Sequence, residues 1–343
     1  MKKRAISLIA LVLALSMFVL AGCGSQTATS EASGTPAASE AEPKEEIQKM
    51  LTFASGPSGG GWYVIGAVLS DLWMNHIDGM NITLNEGGSV ANLPLVDAGT
   101  DAQIGLTYTT DFLAAANGTG TFEGEAHENM KVLCTLYPSW WAVSVMGDSD
   151  IQSIYDLAGK SVSPTTSGSG AEIAFLNILK AAGLSLDDMK VSYGSYGDCA
   201  TMMQDGILDA FCSGGSYTIP GLLQVDAVSP VRVLELDDEI LKNIEEMDLG
   251  YDCNAVIPAG TYSGITEDVN TISSYAVVFV NGDINDETAY ALTSAIWENL
   301  DEICEAEPTR GGMMSLEKIN AGVPQEYFHA GALRYLEEKG VEW

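Results

Sequence analysis

Three glycine-rich turns hold the clearest chemical potential in this sequence: Ser58-Gly59-Gly60-Gly61-Trp62-Tyr63, Gly87-Gly88-Ser89-Val90-Ala91-Asn92 and Ser167-Gly168-Ser169-Gly170-Ala171-Glu172. Each follows a strand-like run and opens a helix-like run. A helix that starts in such a turn leaves backbone N–H groups unpaired, and those groups attract anions. A carboxylate gripped from several turns at once, with help from the hydroxyls of Ser167 and Ser169, is the chemistry they suggest. Any single turn is ordinary packing punctuation, and Ser169 with Glu172 also fits a reciprocal helix cap.

Other chemistries lack their parts. No Lys-Ser/Thr follows the first turn, as a phosphate-cradling P-loop would need. No turn completes the dinucleotide pattern in a βαβ unit, and there is no G-x-S-x-G nucleophile turn. The histidines are His76, His127 and His329. The first two sit in polar surroundings, and the third opens the last helix-like run, where a cap or a structural hydrogen bond is the ordinary role. Beyond Cys23 come Cys134, Cys199, Cys212, Cys253 and Cys304, with neither CxxC nor Cys/His ligand spacing. That supports neither a zinc site nor a complete disulfide framework and leaves open one pair or none. No cofactor is expected, and the chain reads as a binding protein rather than an enzyme. The formal net charge of -32 makes nucleic acid a poor partner.

Aromatic residues gather near the turns: Trp62, Tyr63, Tyr108, Tyr137, Trp140 and Trp141. Such side chains are ordinarily core, but at the rim of a cleft they offer an apolar face with a polar tip. Past the N-terminal segment the arginines are Arg232, Arg310 and Arg334, none of them in a glycine turn. Capture of an acid is therefore expected from backbone N–H groups and hydroxyls rather than from an arginine fork.

The elements that must position these residues alternate between strand and helix. Strands are expected at Met50 to Ser55, Ile82 to Glu86 and Ala102 to Leu106, with helices at Trp62 to Asn75 and Val90 to Ala98 between and beside them. A second series has strands at Lys160 to Ser163, Lys190 to Tyr193 and Asp209 to Cys212, with helices at Ala171 to Ala182 and Cys199 to Gln204. Repeated alternation of this kind builds parallel sheets covered by helices, here two α/β lobes. Two extended segments, Val132 to Met146 and Asn254 to Val280, connect the series, so the chain leaves the first lobe, builds the second and returns. A doubled connection makes a hinge beside a central cleft. The C-terminal part is helical, at Ala289 to Glu302 and Ala330 to Lys339.

The N-terminus is a different kind of segment. Met1-Lys2-Lys3-Arg4 precedes an apolar run from Ala5 to Ala21 that ends in Leu20-Ala21-Gly22-Cys23. Charge, apolar run and small residues before a cysteine spell a lipoprotein export signal, with Cys23 the lipidated residue. A polar Ser/Thr/Ala/Pro/Glu tether follows. The expected division is a signal at 1–22, Cys23 and its tether at 23–46, a first lobe of 47–146 and 256–343, and a second lobe of 147–255. The body lies outside the cytoplasm, held to the membrane by its lipid, and a tethered carrier has no need to oligomerise.

Together the turns and the C-terminus resemble the TAXI family, the extracytoplasmic solute receptors of TRAP transporters. The matching segments include Ala54-Ser55-Gly56 through Tyr63, Gly88-Ser89-Val90-Ala91-Asn92-Leu93, Asn117-Gly118-Thr119-Gly120-Thr121-Phe122 and Leu136-Tyr137-Pro138. Further on come Asp156-Leu157-Ala158-Gly159-Lys160-Ser161-Val162, Gly168-Ser169-Gly170-Ala171-Glu172, Asp205-Gly206-Ile207-Leu208-Asp209-Ala210, Ile257-Pro258-Ala259-Gly260-Thr261-Tyr262 and His329 to Tyr335. The resemblance implies a type II periplasmic-binding fold, no catalysis, and delivery of a small carboxylate to an ion-gradient-driven permease. It places binding at Gly61, Tyr63, Ser89, Asn92, Tyr137, Ser167, Ser169 and Ser216. With the turn and rim residues Gly60, Trp62, Gly88, Tyr108, Gly168, Gly170 and Ala171, these make up the expected site. Ser139 stands where the family often has an acid, followed by Trp140-Trp141, which favours an acid with an apolar or aromatic part over an amino acid. A sensory lipoprotein signalling to a membrane kinase would read the same way in sequence, and an enzyme on the same scaffold is the remaining alternative.

Overall fold

A computed structural model describes residues 45–56 and 61–343. The expected signal, Cys23, the tether as far as residue 44, and Gly60 lie outside the described residues. The chain opens with β1 (Met50–Ala54), α1 (Gly61–His76), β2 (Asn81–Asn85), α2 (Ser89–Ala98), β3 (Ile104–Tyr108) and α3 (Thr109–Asn117). A 17-residue strand, β4 (Met130–Met146), follows. Next come β5 (Ser161–Ser163), α4 (Gly170–Ala181), β6 (Lys190–Val191), α5 (Tyr196–Gln204), β7 (Ala210–Gly215) and α6 (Pro220–Asp226). After these are β8 (Val231–Val233), α7 (Asp238–Glu246), β9 (Asp252–Ile257) and β10 (Val269–Asn281). Helices α8 (Asp286–Glu298), α9 (Leu300–Ala306), α10 (Pro308–Gly311) and α11 (Ala330–Glu338) complete the chain.

The sheet is mixed, in the order β2-β1-β3-β10-β4-β7-β5-β6, with β8 on β4 and β9 on β10. β1 is parallel to β2 and β3, and β5 is parallel to β6 and β7. The long strands β4 and β10 run antiparallel to each other between these groups. From Thr271 to Asn281 β10 is buried without interruption, as expected of a strand covered on both faces. α1 instead buries one stripe, Ile65, Leu69, Leu72 and Trp73, at the three-to-four spacing of an amphipathic helix.

Buried apolar side chains sort into separate clusters. One draws on Leu51 to Tyr137 and on Ala276 to Leu336, the other two on segments between Trp140 and Ile272. The change of cluster falls on β4 between Tyr137 and Trp140 and on β10 between Ile272 and Ala276, so both long strands serve two cores.

Several elements differ from expectation. The extended segment from Asn254 to Val280 is two antiparallel strands, β9 and β10, joined by a turn in which Gly260 donates to Ile265 and Ala259 donates to the Asp268 carboxylate. The helix expected from Ala289 to Glu302 breaks at Asn299, whose side-chain amide takes the Ala295 carbonyl at 2.8 Å in place of a continuing turn. Helices α3, α6 and α7 were not anticipated. All five cysteines among the described residues are free, with Cys134, Cys199 and Cys212 buried. His329 caps α11: its Nδ1 accepts from the Gly331 N–H at 3.1 Å.

Candidate functional site

The parallel strands β1, β3, β5 and β7 all end at one cavity of about 610 Å³. Its wall takes Gly61 and Trp62 from the start of α1, Gly88 and Ser89 from the start of α2, and Ser167 to Ala171 from the turn into α4. Open α/β sheets bind ligands at this carboxyl edge because helix N-termini and loop backbone converge there. The cavity also unites residues of different cores, Tyr137 on one side and Trp141, Ala171 and Ile219 on the other.

At the α4 turn most donors are already used. Glu172 N–H donates to Ser169 Oγ at 3.2 Å, and the Glu172 carboxylate accepts from Gly168 N–H at 2.5 Å and from Tyr193 Oη at 2.8 Å. Glu172 is therefore a cap. The N–H groups of Gly170 and Ala171 keep no acceptor among the described residues, and both residues line the cavity. Ser167 is exposed on the same rim, and Ser216 Oγ is turned to the Thr218 carbonyl at 3.0 Å.

Ser89 and Asn92 are committed inward. The Ser89 hydroxyl is shared with Asp111, Thr107 and the Tyr108 N–H. Asn92 is fully buried and does not reach the cavity. Its amide donates to the carbonyls of Ala54, Ser55 and Leu106 at 2.7–3.0 Å, and its Oδ1 accepts from Gly88 N–H at 3.0 Å. It fastens the α2 turn to the ends of β1 and β3. Tyr63 is half-buried and also lies off the cavity, because one helical step past Trp62 rotates a side chain by about 100°.

The remaining wall is aromatic. Trp62 and Tyr108 rings lie 4.5 Å apart, and Tyr108 meets Trp141 edge-on at 4.9 Å. Trp141 Nε1 donates to Ser274 Oγ at 3.0 Å, which leaves its apolar face for the cavity. Close packing here depends on glycine: a Cβ at Gly214 would sit 2.0 Å from the Trp141 ring. Burial holds the Tyr108 and Tyr196 phenols well above their ordinary range, so both stay neutral. Trp140 stacks on Tyr217 at 3.9 Å, outside the cavity lining.

Arg310, expected to play no part because it lies in no glycine turn, reaches the cavity from α10. Among the described lining residues it is the only cationic side chain, and none of them is Asp or Glu. Its Nη1 pairs with Glu307 Oε1 at 2.9 Å. The signal that could have found it is weak in sequence, since nothing local marks Arg310 and its neighbours Gly61 and Tyr137 come from distant segments. Among the described residues no group of three or more His, Cys, Asp or Glu is arranged to hold a metal.

Comparison with solved structures finds the same architecture with low identity. A Xanthomonas citri protein solved bound to ATP matches at TM-score 0.50 and 13% identity, over 85% of this chain and 95% of that one. A TctC solute-binding protein from Polaromonas matches at TM-score 0.48 and 14% identity, over 77% and 88%. The aliphatic sulphonate binding protein SsuA from Escherichia coli matches at TM-score 0.45 and 14% identity, over 78% and 81%. The α/β fold, a mixed sheet with flanking helices, is of the type II periplasmic-binding kind. The NMT1-like family model matches residues 53–340, and the chain belongs to the NMT1-like family.

Proposed function

We propose that this chain is an extracytoplasmic solute receptor that captures a small carboxylate and passes it to a membrane permease of the TRAP type. The observation that carries the reading is the convergence of the starts of α1, α2 and α4 on one aromatic-walled cavity. Helix N-termini favour negative charge, and the apolar wall excludes water from it.

In this reading residues 47–146 with 256–343 and residues 147–255 are two lobes that close on the solute by bending at β4 and β10. The cavity joins residues of both cores, so a bound solute favours the closed arrangement. The solute contacts are Gly61, Trp62, Gly88, Tyr108, Tyr137, Ser167, Gly168, Ser169, Gly170, Ala171 and Ser216, with Ser89 and Asn92 shaping the α2 turn beneath them. Export through the signal at 1–22 and lipidation at Cys23 would hold the receptor at the outer face of the cell membrane or in the periplasm, near its permease.

A thermal-shift panel of amino acids, keto acids and aromatic acids tests the capture. At a hundredfold excess over Kd, a true solute stabilises by about 2.7 kcal/mol. Absence of any shift with every acid overturns the reading. Delivery is tested by uptake of the stabilising acid in cells with and without this chain, and equal uptake overturns the transport role.

A further inference from the structure

We propose that Arg310 and Tyr137 form the acid-recognition subsite of the cavity, and that the solute is a monoanion whose apolar body lies on Trp62, Tyr108 and Trp141. This rests on the solute-receptor reading and adds the chemistry of its ligand.

The first observation is a local conflict. The Arg310 guanidinium packs directly on the first residue of α1, and a Cβ at Gly61 would fall 1.9 Å from its Nη2. A helix N-terminus has partial positive character and repels a cation. Two positive groups pressed together at the end of a 16-residue helix are costly unless an anion neutralises both. Glu307 pairs with Nη1 alone, so it balances the formal charge but leaves the other guanidinium donors, which face the helix terminus, unused. Nη2 and Nε have no acceptor among the described residues.

The second observation is an orphaned hydroxyl. Tyr137 is 2% exposed and lines the cavity, yet its Oη has no hydrogen-bond partner. Arg310 is near enough to act on the phenol electrostatically and to offer its oxygen a loose N–H contact short of full hydrogen-bond geometry, but Arg310 carries no acceptor, so the phenol's own hydrogen has none. A buried hydroxyl without a partner is destabilising and requires an explanation. A ligand oxygen supplies one. Burial raises the phenol far above its ordinary range, so Tyr137 is a neutral donor. A guanidinium edge and one O–H beside it suit the oxygens of a carboxylate or sulfonate.

The count of charges sets the class. With Arg310 the only cation among the described lining residues, a second anionic group would find no ion-pair partner there, only the uncharged N–H groups of Gly170 and Ala171 and nearby hydroxyls. With no Asp or Glu among the described lining residues, an ammonium would lack an ion-pair partner there. Dianions and amino acids are therefore disfavoured against monoanions of similar size.

Melting curves and calorimetry of the purified protein with benzoate, butanesulfonate, phthalate and glutamate test this. Benzoate or butanesulfonate should bind the wild type at least tenfold more tightly than phthalate or glutamate. Arg310→Gln should weaken the monoanion about a hundredfold, from loss of hydrogen bonds to a charged group. Arg310→Lys should recover little, because one ammonium cannot replace the fork. Tyr137→Phe gives the decisive split: with no ligand it should melt at or above the wild-type temperature, and with the monoanion it should bind about tenfold more weakly. If a monoanion binds wild type and Arg310→Gln alike, or if Tyr137→Phe destabilises the unliganded protein, the subsite is overturned and the receptor reading stands. Phthalate or glutamate binding as tightly as benzoate overturns the single-charge claim. A wild type shifted by none of the four overturns the monoanion class, while a shift by a neutral solute alone overturns the acid-receptor reading as well.

Discussion

Ser89 donates its hydroxyl hydrogen to Asp111, so the residue that opens α2 at the main cavity is bonded to a carboxylate buried in the first turn of α3. Asp111 is 3% exposed and also borders a second cavity of about 300 Å³ between α3 and α4. Burial drives its pKa up to about 6, and the Ser89 hydrogen bond pulls the other way. The titratable groups acting across this space are the phenols of Tyr108 and Tyr251, both held neutral by burial.

A pH dependence of stability follows. The folded pKa of Asp111 lies above its unfolded value near 4, so the folded state binds more protons between the two. Its contribution is most favourable below about pH 4 and is lost as pH rises through about 6. The loss amounts to roughly 3 kcal/mol at most, from about two pKa units. Asp111→Asn keeps an acceptor for Ser89 and removes the titration. Thermal unfolding from pH 4 to pH 8 should show the variant gaining on the wild type as pH rises, then levelling above about pH 7. Parallel curves would assign the titration elsewhere.

Asn92→Ala should be strongly destabilising although Asn92 touches no solute. The substitution strands the carbonyls of Ala54, Ser55 and Leu106 and the Gly88 N–H at the junction of β1, β3 and α2. Unmade buried hydrogen bonds of this number cost roughly 2–4 kcal/mol after partial relaxation. Urea unfolding would report it as a lower midpoint with an unchanged slope. Asn92→Asp should be no better, because a carboxylate cannot donate to three carbonyls.

This pair of residues also shows where sequence reasoning stopped. Local pattern revealed the βα alternation, the glycine turns and the long strand at Val132 to Met146, because each depends on periodicity or on backbone needs within a few residues. It could not separate Ser89 and Asn92 as structural fasteners from Gly170 and Ala171 as open donors. That distinction depends on which N–H and hydroxyl groups the surrounding chain has already used. Arg310 was missed for a related reason: its place at Gly61 arises only when α10 packs beside the start of α1, far away in sequence. Tyr63, one helical step past Trp62, lies outside the cavity lining.

The cysteine question left open by the odd count has a direct test. Cys134 and Cys212 are buried with thiols raised by desolvation, and Cys199 is buried against Ser163 Oγ at 3.1 Å. Thiolate is the reactive form, so these three should resist alkylation in the folded protein. Cys253 and Cys304 are half-buried, and burial pushes the Cys253 thiol up to about 11. Mass spectrometry after brief iodoacetamide treatment should find label on Cys304 first, then on Cys253. All five should label in denaturant without reductant, and any that needs reductant is paired in solution.

Gly61→Ala should separate folding from binding at the α1 terminus. The added Cβ meets the mobile end of Arg310, at 1.9 Å from Nη2 and 2.2 Å from Cζ, rather than backbone. The guanidinium can therefore swing aside, and the melting temperature of the unliganded protein should change by only a degree or two, since such a surface change costs about 0.5 kcal/mol or less. A displaced guanidinium no longer completes the acid subsite beside Tyr137, so affinity for a monoanion should fall roughly tenfold to a hundredfold. Gly61→Ala in an Arg310→Gln background should cost little more than Arg310→Gln alone, because the side chain that the methyl displaces is already gone. Additive losses in that double-mutant cycle would mean that Gly61 acts on the solute through its own N–H rather than through Arg310.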